Sequence, residues 1–273
     1  MMTFSPAPTK VRSPTAVSQA LRAIHDDFSF EDVIERWTLG ESQRAEDRYQ
    51  IVIATDRQTR ERACKLAYRV YHRCGYVENA SGMVETPYDN LPGTCVLLIQ
   101  DTKGEAIATA TVVLDSERGL PSDEIYGPEL DEMRRQGRKL SEVVRLAIAD
   151  EHCHCKQLLI SLFNFVYLCA HLVRGADDFV IEVNPRHVAY YQRLLEFTVT
   201  GPERPCPRVQ NAPAVLLGLD LHKTTDRIAQ ATTQASPTDR SLFRYSYPLQ
   251  RQQLAVAFIE RSLKRSARFA LLS

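Results

Sequence analysis

The stretch RLAIADEHCHCKQLLISLF, residues 145–163, joins a β-type run to a long apolar helix through a polar corner. Its first residues complete the apolar run KLSEVVRLAIAD (139–150), whose length and composition predict a strand. A helical pattern of apolar residues then extends from Cys153 to Arg174. A strand that passes directly into a helix is half of a β-α-β unit, so this stretch predicts a sheet covered by helices.

Further runs on both sides of this unit extend the predicted sheet. Strands are predicted at 49–55, 94–101, 105–115, 178–184 and 212–221. Helices are predicted at 56–74, 121–137 and 186–197. The short turn Thr102-Lys103-Gly104 favours an antiparallel hairpin. The order of elements predicts an α/β (α+β) fold, a mixed central β-sheet with helices on both faces.

The ends of the chain have a different composition from this central part. Residues 1–44 form an N-terminal extension that we expect to be partly disordered and then helical. Residues 45–222 form the predicted domain. Residues 223–273 are predicted to be a linker arm, rich in Thr, Gln and Ser up to residue 248, followed by a C-terminal amphipathic helix.

Charge and cysteine usage limit the class of protein. The 34 Lys and Arg balance the 34 Asp and Glu, so overall charge gives no reason to expect a nucleic acid partner. The first residues lack the apolar core of a secretory signal, and the apolar run 158–173 is shorter than the ~20 residues of a membrane span. Seven cysteines without framework spacing fit a reducing compartment. We therefore expect a cytoplasmic protein without a transmembrane segment.

The polar corner contains His152, Cys153, His154 and Cys155, which are all chemically able to bind zinc. Four consecutive residues cannot surround a tetrahedral ion, because structural sites take their ligands from separated pairs. Cys169 and His171 lie at the far end of the predicted helix. We therefore expect no metal site here.

Two blocks around this unit resemble a known superfamily and, within it, a narrower family. VNPRHVAYYQRLLEF (183–197) resembles the Asn-x-x-Ala-x-x-x-Tyr-x-x-x-Gly-Phe pattern of the GNAT acyltransferases, with Asn184, Tyr191 and Phe197 matching. His187 and Glu196 depart from that pattern. LSEVVRLAI (140–148) and GPERPCPRVQNAPAVLLGLDL (201–221) resemble FeeM-type long-chain N-acyl amino acid synthases, which are related to acyl-homoserine-lactone synthases. The resemblance covers roughly residues 50–222. It implies an acyltransferase with an amino acid acceptor, often tyrosine.

The corner departs from the superfamily in a way that concerns the acyl donor. The usual Arg/Gln-x-x-Gly-x-Gly/Ala corner binds the pyrophosphate of coenzyme A through its amides, but Asp150–Lys156 has no glycine and begins with two acids. Side chains hinder close approach of a pyrophosphate, and Asp150 and Glu151 repel it. We therefore predict no tightly bound cofactor. The predicted donor substrate is an acyl-phosphopantetheine thioester on acyl carrier protein.

The resemblance also implies roles for residues around the two central strands. An amide within Val144, Arg145, Leu146 and Ala147 would face the thioester carbonyl. Tyr191 would protonate the leaving thiolate, and Asn184 would hydrogen-bond the pantetheine or cap the following helix. Glu142 is one candidate base and Glu182 the other.

Arg145 is the predicted partner of the acceptor carboxylate, because a guanidinium binds a carboxylate in bidentate fashion. Strict alternation places Leu140, Glu142, Val144 and Leu146 on one face and Arg145 on the other, unless a bulge changes the phase. The alternative is that Glu142 and Arg145 form a structural ion pair.

Two basic clusters could bind the acidic carrier protein. Arg186, Arg193, Arg204 and Arg208 surround Asn184 and form the preferred dock. Arg134, Arg135, Arg138 and Lys139 form the other cluster. The remaining alternatives for function are a lactone synthase, which differs in acceptor, and a non-catalytic acyl-binding or interaction module.

Overall fold

The computed structural model describes residues 49–78, 81–153, 155–234 and 238–270, with the backbone alone for 266–270. One seven-stranded sheet runs through this part of the chain, in the order β1-β2-β3-β4-β5-β7-β6. The strands are β1 (Tyr49–Ile53), β2 (Cys95–Asp101), β3 (Ala106–Leu114), β4 (Leu140–Ile148), β5 (Asp178–Val183), β6 (Thr198–Cys206) and β7 (Ala212–Asp220). In this sheet β4 and β5 are parallel and every other neighbouring pair is antiparallel. The predicted mixed sheet is therefore confirmed.

Helices cover both faces of the sheet. They are α1 (Arg57–Arg73), α2 (Asp123–Arg135), α3 (Lys156–Tyr167), α4 (Val188–Leu195), α5 (Leu221–Thr233) and α6 (Leu249–Ala270). On one face, Ala63 of α1 packs on Val96 and Leu98 of β2. Tyr126 and Leu130 of α2 pack on Val113, Val180 and Leu216 on the same face. Helices α3 and α4 lie on the opposite face, where Phe163 and Tyr191 meet edge to face.

Helix α3 forms the core of that opposite face. Nine of its twelve residues are buried, and a π-helical segment, Leu168–Val173, continues it. The stretch Lys156–Val173 is long and apolar enough to cross a membrane, but 67% of it is buried inside the protein. This burial is typical of a core helix and agrees with the prediction from its interrupted apolar run.

Two elements differ from the sequence prediction. The segment predicted to be a linker begins with α5, whose buried residues Leu221, Thr224, Ile228 and Ala231 follow a helical period. Its Thr and Gln content hid that pattern, and Asp220 caps the helix by accepting from the Lys223 amide at 3.0 Å. The prediction also missed β6, which contains Gly201, Pro202 and Pro205. These residues are tolerated because β6 is at the edge of the sheet. The N-terminal extension lies outside the described residues.

Candidate active site

The centre of the sheet contains a gap between β4 and β5. Their parallel pairing covers only Leu140 with Asp178, Ser141 with Phe179 and Glu142 with Val180. Beyond Glu142 no register pair joins these two strands, although β4 continues to Ile148 beside β3. The upper parts of β4 and β5 therefore leave backbone groups that face the gap instead of a neighbouring strand.

A β-bulge in β4 lies at the edge of this gap. Thr111 of β3 pairs with Val144 and Thr109 pairs with Ala147, so Arg145 and Leu146 together oppose one residue of β3. Arg145 has a φ of 52°, which is uncommon for a residue with a side chain. The bulge interrupts the ladder within Val144–Ala147, the segment predicted to supply the amide for the thioester oxygen.

Glu142 lies beside the gap on the face covered by α1 and α2. Its side chain is buried, and its Oε2 accepts from the Ser122 amide at 2.8 Å and from Ser122 Oγ at 2.7 Å. Burial raises the pKa of Glu142 to about 8, and the nearby carboxylate of Glu182 acts in the same direction. The two bonds from Ser122 oppose this rise. A carboxyl group with this pKa can exchange a proton near neutral pH.

Glu182 lies two residues further along β5 than Val180 and shares the face of Glu142. Its Oε2 binds the Arg208 guanidinium and accepts from Cys206 Sγ at 3.8 Å. Its Oε1 is buried and has no hydrogen-bond partner among the described residues. Burial raises the pKa of Glu182, while Arg208 acts against the rise. The two candidate bases are therefore neighbouring carboxyl groups on one side of the gap.

The structure places Arg145 differently from the sequence prediction. Its guanidinium binds both carboxylate oxygens of Asp89, the Val84 carbonyl at 2.8 Å and Thr111 Oγ1 at 3.2 Å. Thr111 and Val113 share a face of β3, and Val113 pairs with Glu142, so Arg145 lies on the same face as Glu142. Strict alternation does not hold here: the bulge, which was the stated alternative, shifts the alternation by one residue and brings both side chains to one face.

These contacts argue against both predicted partners of Arg145. Glu142 binds Ser122 and Arg145 binds Asp89, so the predicted Glu142–Arg145 ion pair does not form. The Arg145 side chain is 4% exposed and its fork is filled by Asp89. The Arg145 guanidinium therefore holds the loop that carries Asp89. It is not the side chain that we propose for the carboxylate of the acceptor.

Tyr191 lies on the opposite face, within an aromatic cluster. Its ring contacts those of Tyr190, Phe197 and Phe163 at centroid distances of 5.3, 5.6 and 6.5 Å. Burial raises the pKa of Tyr191 to about 12, so the phenol keeps its proton at neutral pH. Its hydroxyl makes no hydrogen bond to any residue that the structure describes. The phenol thus retains a proton that it can donate.

Asn184 begins the segment that follows β5. Its Oδ1 accepts from the Arg186 amide at 3.3 Å, so it caps the short helical turn Pro185–His187. Arg186 is exposed and donates from Nη2 to the Tyr76 hydroxyl at 2.8 Å. Since Tyr76 follows α1 and Arg186 precedes α4, this bond joins segments from the two faces of the sheet.

The polar corner is a compact turn. The amides of His152, Cys153 and Cys155 donate to the carbonyls of Ala149, Asp150 and His152 respectively. Asp150 forms an ion pair with Arg73, and Lys156 is buried with its ammonium 3.9 Å from the centre of the Tyr245 ring. Burial lowers the pKa of Lys156 to about 8. Among the described residues no three His, Cys, Asp or Glu side chains could together hold a metal ion, and His154 lies outside them.

The two basic clusters consist largely of internal ion pairs. Arg204 binds Glu129, and Arg208 binds Glu124 and Glu182. Arg186 and Arg193 are exposed. In the other cluster the internal partners are Asp115, Asp123 and Asp131 for Arg134, Glu132 for Arg135, and Asp178 and Asp220 for Arg138. The structure therefore does not bring the four docking residues together as one open patch.

The sequence prediction missed several residues around the gap. Ser122 binds Glu142 and Asp89 binds Arg145, yet each lies at least twenty positions away in the chain. Tyr71 of α1 interacts electrostatically with both Arg145 and Tyr191. Tyr88 packs on the core beneath α2. Sequence periodicity does not distinguish these residues as part of a site. Tyr88, Asp89 and Ser122 lie outside helices and strands, and Tyr71 lies on a helix that also packs on the core.

Comparison with known proteins gives a family match for the chain. The family model of the N-acyl amino acid synthase FeeM matches residues 62–220, more than half of the chain. The structure of FeeM from uncultured soil microbes is 30% identical and has a TM-score of 0.56, covering 64% of this chain and 92% of that one. No curated protein gives a significant match.

Two more distant structures have TM-scores below 0.5. TofI, in a ternary complex with an inhibitor and MTA, is 17% identical, with 64% of this chain and 91% of that chain covered and a TM-score of 0.46. The AHL synthase LasI is 20% identical and has a TM-score of 0.45, with 63% of this chain and 89% of the LasI chain covered. The FeeM match decides the assignment. The chain belongs to the FeeM family of N-acyl amino acid synthases, and it is an N-acyltransferase.

Proposed function

We propose that this protein transfers a long-chain fatty acyl group from acyl carrier protein to the α-amine of an amino acid, with tyrosine as the first acceptor to test. One observation carries the proposal: the gap between β4 and β5 has two carboxyl groups on one face and a phenol on the other. Amide formation from a thioester needs a proton acceptor beside the amine and a proton donor beside the sulfur. The gap offers both.

The reaction follows from this arrangement. The acceptor enters on the face of α1 and α2, and its nitrogen bonds to the thioester carbon while an amide within Val144–Ala147 stabilises the oxyanion. Glu142 takes the amine proton, with Glu182 as the alternative base. The carbon–sulfur bond breaks, and Tyr191 gives its proton to the thiolate. Asn184 would hydrogen-bond the pantetheine arm.

The polar corner supports a carrier protein as the donor. A pyrophosphate cradle needs free backbone amides, but three amides of this corner already donate within the turn. A lone phosphopantetheine arm does not require those amides. On the face of α3 and α4, the half-buried rings of Phe163 and Tyr191 offer apolar surface that suits a long acyl chain.

Arg186 and Arg193 are the candidates for contact with the acidic carrier protein because both are exposed at the surface, whereas Arg204 and Arg208 bind internal carboxylates. Charge reversal at Arg186 or Arg193 is expected to raise the Michaelis constant for acyl carrier protein and to reduce its dependence on salt. Arg204→Glu is a poor control because it breaks an ion pair. Arg69, which is exposed on α1 and forms no ion pair with any residue that the structure describes, is the matched control for charge reversal.

Mass spectrometry of lipid extracts from cells that express the protein tests the proposed reaction. N-acyl amino acids are expected, and they should disappear in the Glu142→Gln, Glu182→Gln double variant. Acyl lactones would indicate a different acceptor, and the absence of any new acyl product would reject catalysis. Rates with acyl carrier protein and with the matching acyl-coenzyme A then test the donor. Equal rates at equal concentrations would reject the carrier protein as the preferred donor.

A further inference from the structure

The face that would receive the acceptor has many arginines, and most of them have carboxylate partners. Arg134, Arg138, Arg145, Arg204 and Arg208 each bind at least one Asp or Glu. A guanidinium that is already neutralised by an internal carboxylate is a poor site for a second one, because the new partner must displace the first. The carboxylate of an amino acid acceptor therefore needs another cation on this face.

Arg118 has the properties that these residues lack. It lies in the turn between β3 and α2, just before Gly119, and its side chain is exposed. Its guanidinium carbon lies 5.7 Å from the centre of the Tyr88 ring. It forms no ion pair with any residue that the structure describes. Arg118 is thus a cation held by an aromatic ring, with its fork open to a ligand.

Tyr88 connects Arg118 to the candidate base. The Tyr88 side chain packs against the core cluster that contains Val113, the residue of β3 that pairs with Glu142. Burial raises the pKa of Tyr88, Glu142 acts in the same direction, and Arg118 opposes it, so Tyr88 is close to both charges. The Tyr88 ring therefore packs on the core beside the strand that pairs with Glu142, and the Arg118 guanidinium lies 5.7 Å from its centre.

The position of Tyr88 is fixed by the next residue along the chain. Asp89 Oδ2 accepts from the Thr86 amide at 2.8 Å, and both oxygens of Asp89 bind Arg145. The Tyr88 carbonyl also accepts from Thr94 Oγ1 at 2.6 Å. Arg145 on β4 thus holds the turn that presents Tyr88 beside the gap, which gives its buried ion pair a positioning role.

We propose that Arg118 binds the α-carboxylate of the acceptor, with the Tyr88 ring as the wall of that subsite. This inference rests on the proposed function, since the acceptor amine must lie beside Glu142 or Glu182. In an α-amino acid the carboxylate is one carbon from the amine. In this proposal the exposed Arg118 side chain swings over the Tyr88 ring to meet the carboxylate, while the amine remains at the base. The subsite selects amines that carry an adjacent carboxylate.

The test compares an amino acid with the same molecule lacking its carboxylate, tyrosine with tyramine when tyrosine is the acceptor. Arg118→Ala is expected to raise the Michaelis constant for the amino acid by about 10–100-fold with little change in turnover, as for loss of a charge-assisted bidentate contact. Arg118→Lys should give a smaller rise, because charge remains but the fork is lost. The constant for the amine should stay the same in both variants.

Arg261→Ala is the matched control, since Arg261 is an exposed arginine on α6 that forms no ion pair with any residue that the structure describes. It should leave both constants unchanged. An unchanged amino acid constant in Arg118→Ala, or an equal rise for the amino acid and the amine, would overturn the proposal. A wild-type enzyme that forms no N-acyl amino acid would instead reject the proposed function, and the carboxylate subsite with it.

Discussion

At the scale of single residues, the account depends most on the protonation of Glu142. Both hydrogen bonds of its Oε2 come from Ser122, and a glutamine oxygen can accept the same two bonds. Glu142→Gln therefore keeps the local structure but removes the base. We expect turnover to fall by about 10²–10⁴-fold, with a smaller loss at higher pH where more of the acceptor amine is neutral.

Steady-state rates of Glu142→Gln across pH check this expectation, with Glu182→Gln as the companion variant. If Glu142→Gln is folded and turns over at the wild-type rate, Glu142 is not the base. A large loss in Glu182→Gln would then assign the base to Glu182.

The raised pKa of Glu142 also predicts how stability depends on pH. The pKa rises from 4.5 to about 8 on folding, so the folded protein holds a proton that the unfolded chain releases. This contribution to stability is fully present below pH 4.5 and is lost as the pH rises through about 8. The melting temperature of Glu142→Gln should therefore fall less than that of the wild type as the pH rises from 4.5 to about 8.

Thermal melts of the wild type, Glu142→Gln and the exposed control Glu132→Gln measure this difference. The control should retain the wild-type slope. Parallel curves for the wild type and Glu142→Gln would show that Glu142 has an ordinary pKa in the folded protein.

Sequence patterns identify residues that lie in strands and helices, but they do not identify the residues that those side chains contact. Glu142 and Glu182 can be found from charges inside apolar strands, and both lie beside the gap. The partner of Arg145 cannot be read in this way, because Asp89 lies 56 positions away in a loop and a bulge decides the direction of the Arg145 side chain. Arg118 carries no pattern at all.

At the scale of elements, helix α2 packs closely against the edge strand β6. Gly201 of β6 lies under the Tyr126 ring, and a Cβ there would be 2.7 Å from Tyr126 Cδ1 and 3.1 Å from Leu216 Cβ. The Tyr126 hydroxyl can donate a hydrogen bond to either of two carbonyl oxygens, that of Pro202 at 2.9 Å or that of Ala214 at 2.7 Å. These contacts hold α2, and with it Ser122, above the gap.

Gly201→Ala should therefore lower the free energy of unfolding by about 1–3 kcal/mol, because the added methyl group overpacks a buried ring. Gly127→Ala is the control. A Cβ at Gly127 meets nothing within 4 Å, and its gain in helix propensity is opposed by the following Pro128. We expect that variant to stay within about 1 kcal/mol of the wild type in urea melts. A Gly201→Ala protein as stable as the control would contradict this packing.

Elements with strong local patterns were predictable, and elements fixed by their position in the sheet were not. The six predicted strands and the core helix are all present in the structure. The strand β6 carries Gly and Pro and becomes a strand because β7 offers it an edge. The parallel pair β4–β5 follows from the strand–helix–strand order, but the point at which the two strands separate depends on side chains from both faces.

At the scale of the whole molecule, the C-terminal helix α6 lies beyond the part that matches the family model. It is nevertheless built into the core. Ile259 is fully buried, and Phe258 meets Phe165 of α3 edge to face at 6.3 Å. Leu254 on the same helix is 67% exposed. Helix α6 therefore completes the apolar surface of α3.

Ile259→Ala should cost about 2–5 kcal/mol of unfolding free energy, as a large-to-small change in a packed core does. Leu254→Ala, the matched control on the same helix, should change it by less than about 0.5 kcal/mol. Urea denaturation of the two variants measures the difference. Equal effects would mean that α6 is not packed on α3.

The most direct test of the whole account follows the acyl group itself. Purified protein is given acyl carrier protein with a ¹³C-labelled acyl carbonyl and an amino acid with a ¹⁵N-labelled amine, and the products are examined by mass spectrometry and NMR. The account predicts an amide with a direct ¹³C–¹⁵N bond, formed in equal amount to the free carrier-protein thiol. Free fatty acid without the amide, or an unconsumed thioester, would contradict it.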